Sequence, residues 1–279
     1  MATALEKHDF ISIDKRRIAY SQAGHGTRIA FLHGIPTSRH LWRHVVPLLV
    51  ERGYEVTALD MLGYGQSDQP EDVDLGIASQ AKWMAAALDA IGWRDGTLVG
   101  HDIGGGVAQL IAIDQANFVR QLVLVDTIAY ESFPVGVIAR LKEEIWDDIL
   151  GAPDFDFKKG LKKSFEKGMV NAARVSPELV DIYEKPFFGV RGRMAYLRAA
   201  RALRTEELAT RMVEVEELRT PTLVVWGAED IFQPIAYGER LAAALPRGRF
   251  ERVAAAGHFL PEDQPERLAE LIDEFAREI

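Results

Sequence analysis

Apolar residues in this chain come in short, nearly unbroken runs, and stretches with helical spacing separate one run from the next. Residues 29–32 read Ile-Ala-Phe-Leu, and similar runs occupy 54–59, 97–99, 121–125 and 222–226. Runs of this length without polar alternation predict parallel strands buried on both faces. Between them, residues 41–52, 77–91 and 104–114 carry apolar positions at helical spacing, and glycine at 53 and 92 stops the first two. Two strands at 10–13 and 17–23, around a polar turn at 14–16, predict an antiparallel start. A helix ending at 241–245, a last strand at 249–253 and an amphipathic helix over 264–279 close the chain. Strand and helix in alternation imply an α/β fold: a mostly parallel sheet with helices on both faces.

The alternation breaks once. From residue 127 to 217 there is no strand-like run, and aromatic residues are scattered among charges such as Lys158, Lys159, Arg193, Arg198 and Arg201. This predicts a helical cap (127–217) inserted between the first (1–126) and second (218–279) parts of one α/β core. An insertion that leaves and re-enters at strand ends belongs over the carboxyl edge of the sheet, where open α/β sheets bind ligands.

The chemistry gathers at the same edge. The strand at 97–99 runs into Gly100-His101-Asp102-Ile103-Gly104-Gly105, a G-x-D-x-G corner between strand and helix. A sharp strand-to-helix turn strains its central residue and needs small neighbours, so Asp102 stands where such a turn presents a nucleophile. The strand at 29–32 ends in His33-Gly34-Ile35-Pro36. The backbone amides of Ile35 and Ile103 are thereby placed as an oxyanion hole. Asp230 follows the strand at 222–226 and His258 the strand at 249–253, giving nucleophile, acid and base in chain order. Asp126 also ends a strand, beside that of Asp102, and is the alternative acid. Asp60, Ser67 and Asp68 read as hydrogen-bonding loop residues, with Ser67 a decoy nucleophile.

Composition narrows the function. The chain has 279 residues, a formal charge of -9 and no cysteine, which excludes disulfides, thiolate catalysis and cysteine-held zinc. An acidic balance offers nothing to nucleic acid or to an anionic membrane. No apolar leader or membrane span is visible, so a cytoplasmic location is expected. His33, His40 and His44 form no recognisable ligand pattern with carboxylates, and neither metal nor cofactor is expected.

These residues resemble the α/β-hydrolases over essentially the whole chain, and within them the aspartate-nucleophile branch of epoxide hydrolases and dehalogenases. The resemblance rests on His33-Gly34-Ile35-Pro36, Gly100 to Gly105, Gly227-Ala228-Glu229-Asp230 and Gly257-His258-Phe259. It implies that Asp102 attacks an electrophilic carbon to form an alkyl ester, which water activated by His258 then hydrolyses. Haloalkane dehalogenases of this branch generally carry Trp after the nucleophile and often Asn in the His-Gly-x-Pro loop; here both positions are isoleucine, Ile103 and Ile35. Epoxide hydrolases use cap tyrosines on the ring oxygen, and Tyr196 in Tyr196-Leu197-Arg198-Ala199 is the candidate donor, one residue further from its Arg than in that family. Tyr130, Tyr183, Trp146, Phe187 and Phe188 are expected to line an apolar pocket. The resulting expectation is epoxide hydrolysis to a diol, with a small apolar electrophile and water as the only partners. Alternatives are a dehalogenase for alkyl halides or haloacids, an esterase or lyase using Asp102 only electrostatically, and a non-hydrolytic ligand-binding protein. Sequence leaves the oligomeric state open.

Overall fold

The structure, a computed structural model, describes residue 5 and residues 8–115, 117–134 and 136–278. Most of the amino-terminal stretch read above for a leader, and residue 279 at the far end of the last predicted helix, lie outside these. The chain opens with β1 (Asp9–Ile13), β2 (Arg16–Gly24), β3 (Thr27–Leu32), α1 (Val45–Glu51), β4 (Tyr54–Leu59) and α2 (Ile77–Ala90). Next come β5 (Gly96–His101), α3 (Ile103–Asp114) and β6 (Val119–Val125). A purely helical stretch follows: α4 (Gly136–Arg140), α5 (Ile145–Gly151), α6 (Phe157–Gly168), α7 (Pro177–Glu184), α8 (Gly189–Arg201), α9 (Glu206–Ala209) and α10 (Met212–Glu216). The chain ends with β7 (Thr222–Gly227), α11 (Ile235–Ala244), β8 (Gly248–Val253), α12 (Leu260–Asp263) and α13 (Pro265–Ala276).

The strands form one sheet in the order β1-β2-β4-β3-β5-β6-β7-β8. The pairings β1 with β2 and β2 with β4 are antiparallel, and the others are parallel. In β5 and β7 every residue is buried, which explains why these strands read as unbroken apolar runs. Register aligns the carboxyl ends: Leu32 lies opposite Gly100, His101 opposite Val125, and Gly227 opposite Val253. The loops bearing Ile35, Asp102, Asp126, Asp230 and His258 therefore all leave from one edge.

One predicted helix is divided. Residues 41–52 form a 3-10 turn at Arg39–Trp42 and then α1 from Val45. Pro47 gives the reason, since proline lacks a donor and fits a helix only in its first turn, where the N-H groups have no internal acceptor. Beside it a buried ion pair, Arg39 with Asp60, closes the loop after β4. Asp60 also accepts from the Gln66 and Arg39 amides, and Ser67 donates to the Asp60 carbonyl while accepting from the Ala19 amide. The Ser67 hydroxyl is thus committed to holding β2 against this loop.

Close approach of α3 to β3 fixes the corner at Asp102. A Cβ at Gly104 would lie 2.3 Å from the His33 carbonyl oxygen and 2.6 Å from that of Leu32, both backbone atoms that cannot rotate away. Gly160, in the interior of α6, has open space around the same position. Gly104→Ala should therefore lower the unfolding free energy by roughly 1–3 kcal/mol through overpacking. Gly160→Ala should raise it by about 1 kcal/mol through helix propensity. Chemical denaturation of the two variants beside the parent protein checks both signs.

Candidate active site

Asp102 sits at the junction of β5 and α3 with φ 50° and ψ -120°, a backbone conformation side chains rarely adopt. Burial is nearly complete, at 3% exposure. The Ile35 amide donates to its Oδ2 at 3.1 Å, and the Ile103 amide adds to the stabilisation of the charged form. Gly34 brings the first of these loops in, for a Cβ there would fall 2.6 Å from the Asp102 Cβ. Burial raises the Asp102 pKa to about 6, with the His258 charge and the two amides pulling the other way. Near neutral pH the group is a poorly solvated carboxylate with the Ile35 amide already on it.

His258 leaves the end of β8, and its Nδ1 lies 2.9 Å from Asp230 Oδ2. The other Asp230 oxygen accepts from the Phe232 and Gln233 amides at 2.7 and 2.9 Å, so the carboxylate is fixed before it meets the ring. Since an ionised carboxylate only accepts, Nδ1 carries the hydrogen and Nε2 keeps its lone pair. Burial alone would lower the His258 pKa, but the Asp230 charge and hydrogen bond, with the Asp102 charge, outweigh it and the pKa rises. Phe232, Phe259 and His101 pack on the ring, with centroids at 5.3, 5.2 and 4.8 Å.

Asp126 occupies the neighbouring strand end without reaching the histidine. Its Oδ1 accepts from the Gly227 amide at 2.7 Å, and its Oδ2 is buried with no partner. Burial and the nearby Asp230 charge push its pKa well up, which favours the neutral acid. Of the two candidate acids, only Asp230 is brought to His258 among the described hydrogen bonds.

Tyr196, on α8, is buried against Phe157 and Phe187, with ring centroids at 5.1 and 5.3 Å. Burial raises its pKa, so the phenol stays protonated. Phe187 also packs on Tyr64, at 6.3 Å, a residue that sequence reasoning passed over. The Tyr64 hydroxyl is buried without a partner; burial, then the charges of Tyr196 and Asp102, raise its pKa. Its place between Gly63 and Gly65 in the loop after β4 was the available signal. The residues expected to line a pocket differ in their surroundings. Phe187 is buried and Trp146 half-buried, but Phe188 is 75% exposed. Tyr183 directs its hydroxyl to Glu262 and Tyr130 to Glu216, where each phenol meets a carboxylate acceptor.

His33 and His101 make backbone contacts that hold the loops around the site. His33 donates from Nδ1 to the Gly34 carbonyl and accepts the Met61 amide on Nε2, which ties the Ile35 loop to the end of β4. His101 donates from Nε2 to the His258 carbonyl at 2.8 Å. No helix among the described residues is long and apolar enough to cross a membrane.

Comparison with known proteins places the chain in a family. A family model described as alpha/beta hydrolase fold matches residues 27–265. The chain is 27% identical over 270 residues to haloalkane dehalogenase 2 of Mycobacterium tuberculosis, covering 92% of this chain and 91% of that protein. It is 29% identical over 244 residues to the 2-hydroxymuconate semialdehyde hydrolase of Pseudomonas putida, covering 80% and 77%. An alpha/beta hydrolase fold protein from Burkholderia ambifaria superposes with a TM-score of 0.88 at 25% identity, over 95% of this chain and 97% of that one. With the match running from β3 to the first residue of α13, and the strand-end loops converging as described, the chain belongs to the α/β hydrolase family.

Proposed function

We propose that the protein is a cofactor-independent hydrolase that opens neutral epoxides to diols through an ester on Asp102, with residues 127–217 acting as its cap. The observation that carries this reading is the buried Asp102 carboxylate, already held by the Ile35 amide and accompanied by a histidine whose Nδ1 is committed to Asp230, which leaves Nε2 as its base. A serine must lose a proton before attacking, whereas a carboxylate above its pKa attacks directly, and removal from water leaves it more reactive.

In the first step a carboxylate oxygen of Asp102 bonds to an epoxide carbon and the ring C-O bond breaks. The freed oxygen takes the Tyr196 proton. In the second, water adds to the carboxyl carbon of the ester as His258 Nε2 takes one of its protons. Asp230 stabilises the imidazolium, and the Ile35 and Ile103 amides hold the oxyanion. Collapse expels the diol oxygen, which takes the proton from His258, and the Asp102 acid returns a proton to Tyr196. Epoxide and water are consumed and one diol is made.

Two further observations shape the substrate. Ile35 and Ile103 have no side-chain donor for a halide, while two protonated phenols, Tyr196 and Tyr64, lie together beneath Phe187. The guanidinium groups of Arg39, Arg43 and Arg193 already meet Asp60, Glu262 and the carbonyls of Leu150 and Ala152, so these three are not free for a substrate carboxylate. The named dehalogenase relative keeps halide displacement as a second reading, and the same experiment separates the two.

His258→Gln, exposed separately to panels of terminal epoxides and alkyl bromides, should accumulate an ester on Asp102 seen by intact mass and peptide mapping. An adduct of one whole epoxide supports this reading, and an alkyl adduct formed only from bromides replaces it with dehalogenation. No adduct from either panel, while the parent protein turns members over, overturns covalent catalysis by Asp102; an inactive parent protein favours the ligand-binding alternative. Anionic epoxides of similar size should show kcat/KM more than about tenfold below neutral ones, since their charge enters the site unpaired.

The pH dependence has a definite sign. Ester formation needs ionised Asp102 and should rise with pH through about 6 in the parent protein. In His258→Gln this limb should move upward, because the histidine charge that lowers the Asp102 pKa is gone. Ester hydrolysis needs neutral His258 and should rise with pH through the His258 pKa, which in the ester has lost the Asp102 charge but keeps that of Asp230, and should move downward in Asp230→Asn, which removes the carboxylate charge that raises it. Rapid-quench measurement of the two steps across pH checks both directions.

A further inference from the structure

The loop that carries His258 is fastened to the helical insertion through one carboxylate. Asp263, the last residue of α12, is 4% exposed, and its Oδ2 accepts from the Gly257 amide at 2.9 Å and from the Val170 amide at 2.9 Å. Its Oδ1 accepts from the Asn171 amide at 3.2 Å. Gly257 directly precedes His258, whereas Val170 and Asn171 follow the end of α6. A carboxylate accepting several amides is a strong and directional joint.

Contacts around it bring the same two segments together. The Phe259 amide donates to the Gly168 carbonyl at 3.3 Å, and Arg174 donates to the carbonyls of Glu262 and Asp263 at 2.6 and 3.1 Å. Phe165 of α6 packs on Phe259 with centroids 4.6 Å apart. At the point of contact a Cβ on Gly257 would lie 2.3 Å from the Gly168 carbonyl oxygen, so the two backbones touch with no side chain between them. On its other side the His258 carbonyl is held by His101. Asp230 orients the ring, but these backbone contacts decide where the ring is mounted.

We propose that Asp263 is a positioning residue for His258, setting the height of Nε2 over the Asp102 ester by binding the Gly257 amide and the end of α6 with one carboxylate. The inference rests on the aspartate-nucleophile reading and deepens it, because it assigns Asp263 to one step of that reaction. Attack by Asp102 uses no base, so loosening the mount leaves ester formation in place. Hydrolysis depends on water held between Nε2 and the ester carbon, and a displacement near 1 Å there costs on the order of 100-fold.

The test compares ester formation and ester hydrolysis in Asp263→Ala and in the near-isosteric Asp263→Asn, using the panel epoxide that loads His258→Gln. Hydrolysis should slow about 10- to 100-fold in Asp263→Ala and less in Asp263→Asn, with ester formation within about threefold of the parent protein. The ester on Asp102 should then be visible by intact mass during turnover. Tyr183→Phe, which loosens the separate Glu262 contact of α7, should show no accumulated ester. Equal slowing of both steps, unchanged hydrolysis, or accumulation in Tyr183→Phe as well overturns the inference. Should Asp263→Ala fail to fold, Asp263→Asn decides the matter alone by the same ratio of steps. An ester in His258→Gln without any in the Asp263 variants overturns this inference only, whereas no ester in His258→Gln overturns the reading beneath it.

Discussion

A carboxylate taken out of water at the corner between β5 and α3 is the constraint around which the rest of this protein is arranged. Desolvation opposes the charge on Asp102, and the surroundings return only part of what water would have given. The Ile35 and Ile103 amides return some of it, and they can do so only because α3 lies against β3 without a side chain at Gly104 and the Ile35 loop closes in over Gly34. The left-handed backbone of Asp102 persists because the parallel sheet below and the helix beyond over-determine it. A corner that is strained, dry and short of full compensation is costly for stability.

The same physics separates three aspartates that look alike in the chain. Asp230 receives two loop amides and the His258 ring, so its charge is satisfied and it can hold an imidazolium. Asp126 receives one amide, has an unpartnered oxygen and faces Asp230, which drives it toward the neutral acid. Asp263 lies further from the chemistry, yet its three amide donors come from two segments and join them. Partner count and partner origin, rather than residue type, set the three environments apart.

The helical stretch after β6 contacts several of the segments around this centre. Its α6 is tied to the histidine loop, α7 meets Arg43 and Glu262 through Tyr183, and α8 brings Tyr196 beside Phe187 and Tyr64. These contacts tie the stretch to the segment after β8 through Asp263 and Glu262, to Arg43 before α1 and, through Phe187, to Tyr64 in the loop after β4.

Much of this was legible in the chain alone, and the reason is local. Strands buried on both faces must be apolar throughout, so 29–32, 97–99 and 222–226 declared themselves, and a sharp corner must have small neighbours, so Gly100 and Gly104 marked Asp102. The order Asp102, Asp230, His258 followed from where those strands end. Tertiary structure decided what depends on partners far apart in sequence. It chose Asp230 over Asp126 as the neighbour of His258, sent the Tyr130 and Tyr183 hydroxyls to glutamates, exposed Phe188, and brought Tyr64 beside Tyr196. A hydrogen bond between residues 263 and 170 leaves no periodicity or spacing to read, because the donor is a backbone amide that every residue but proline carries.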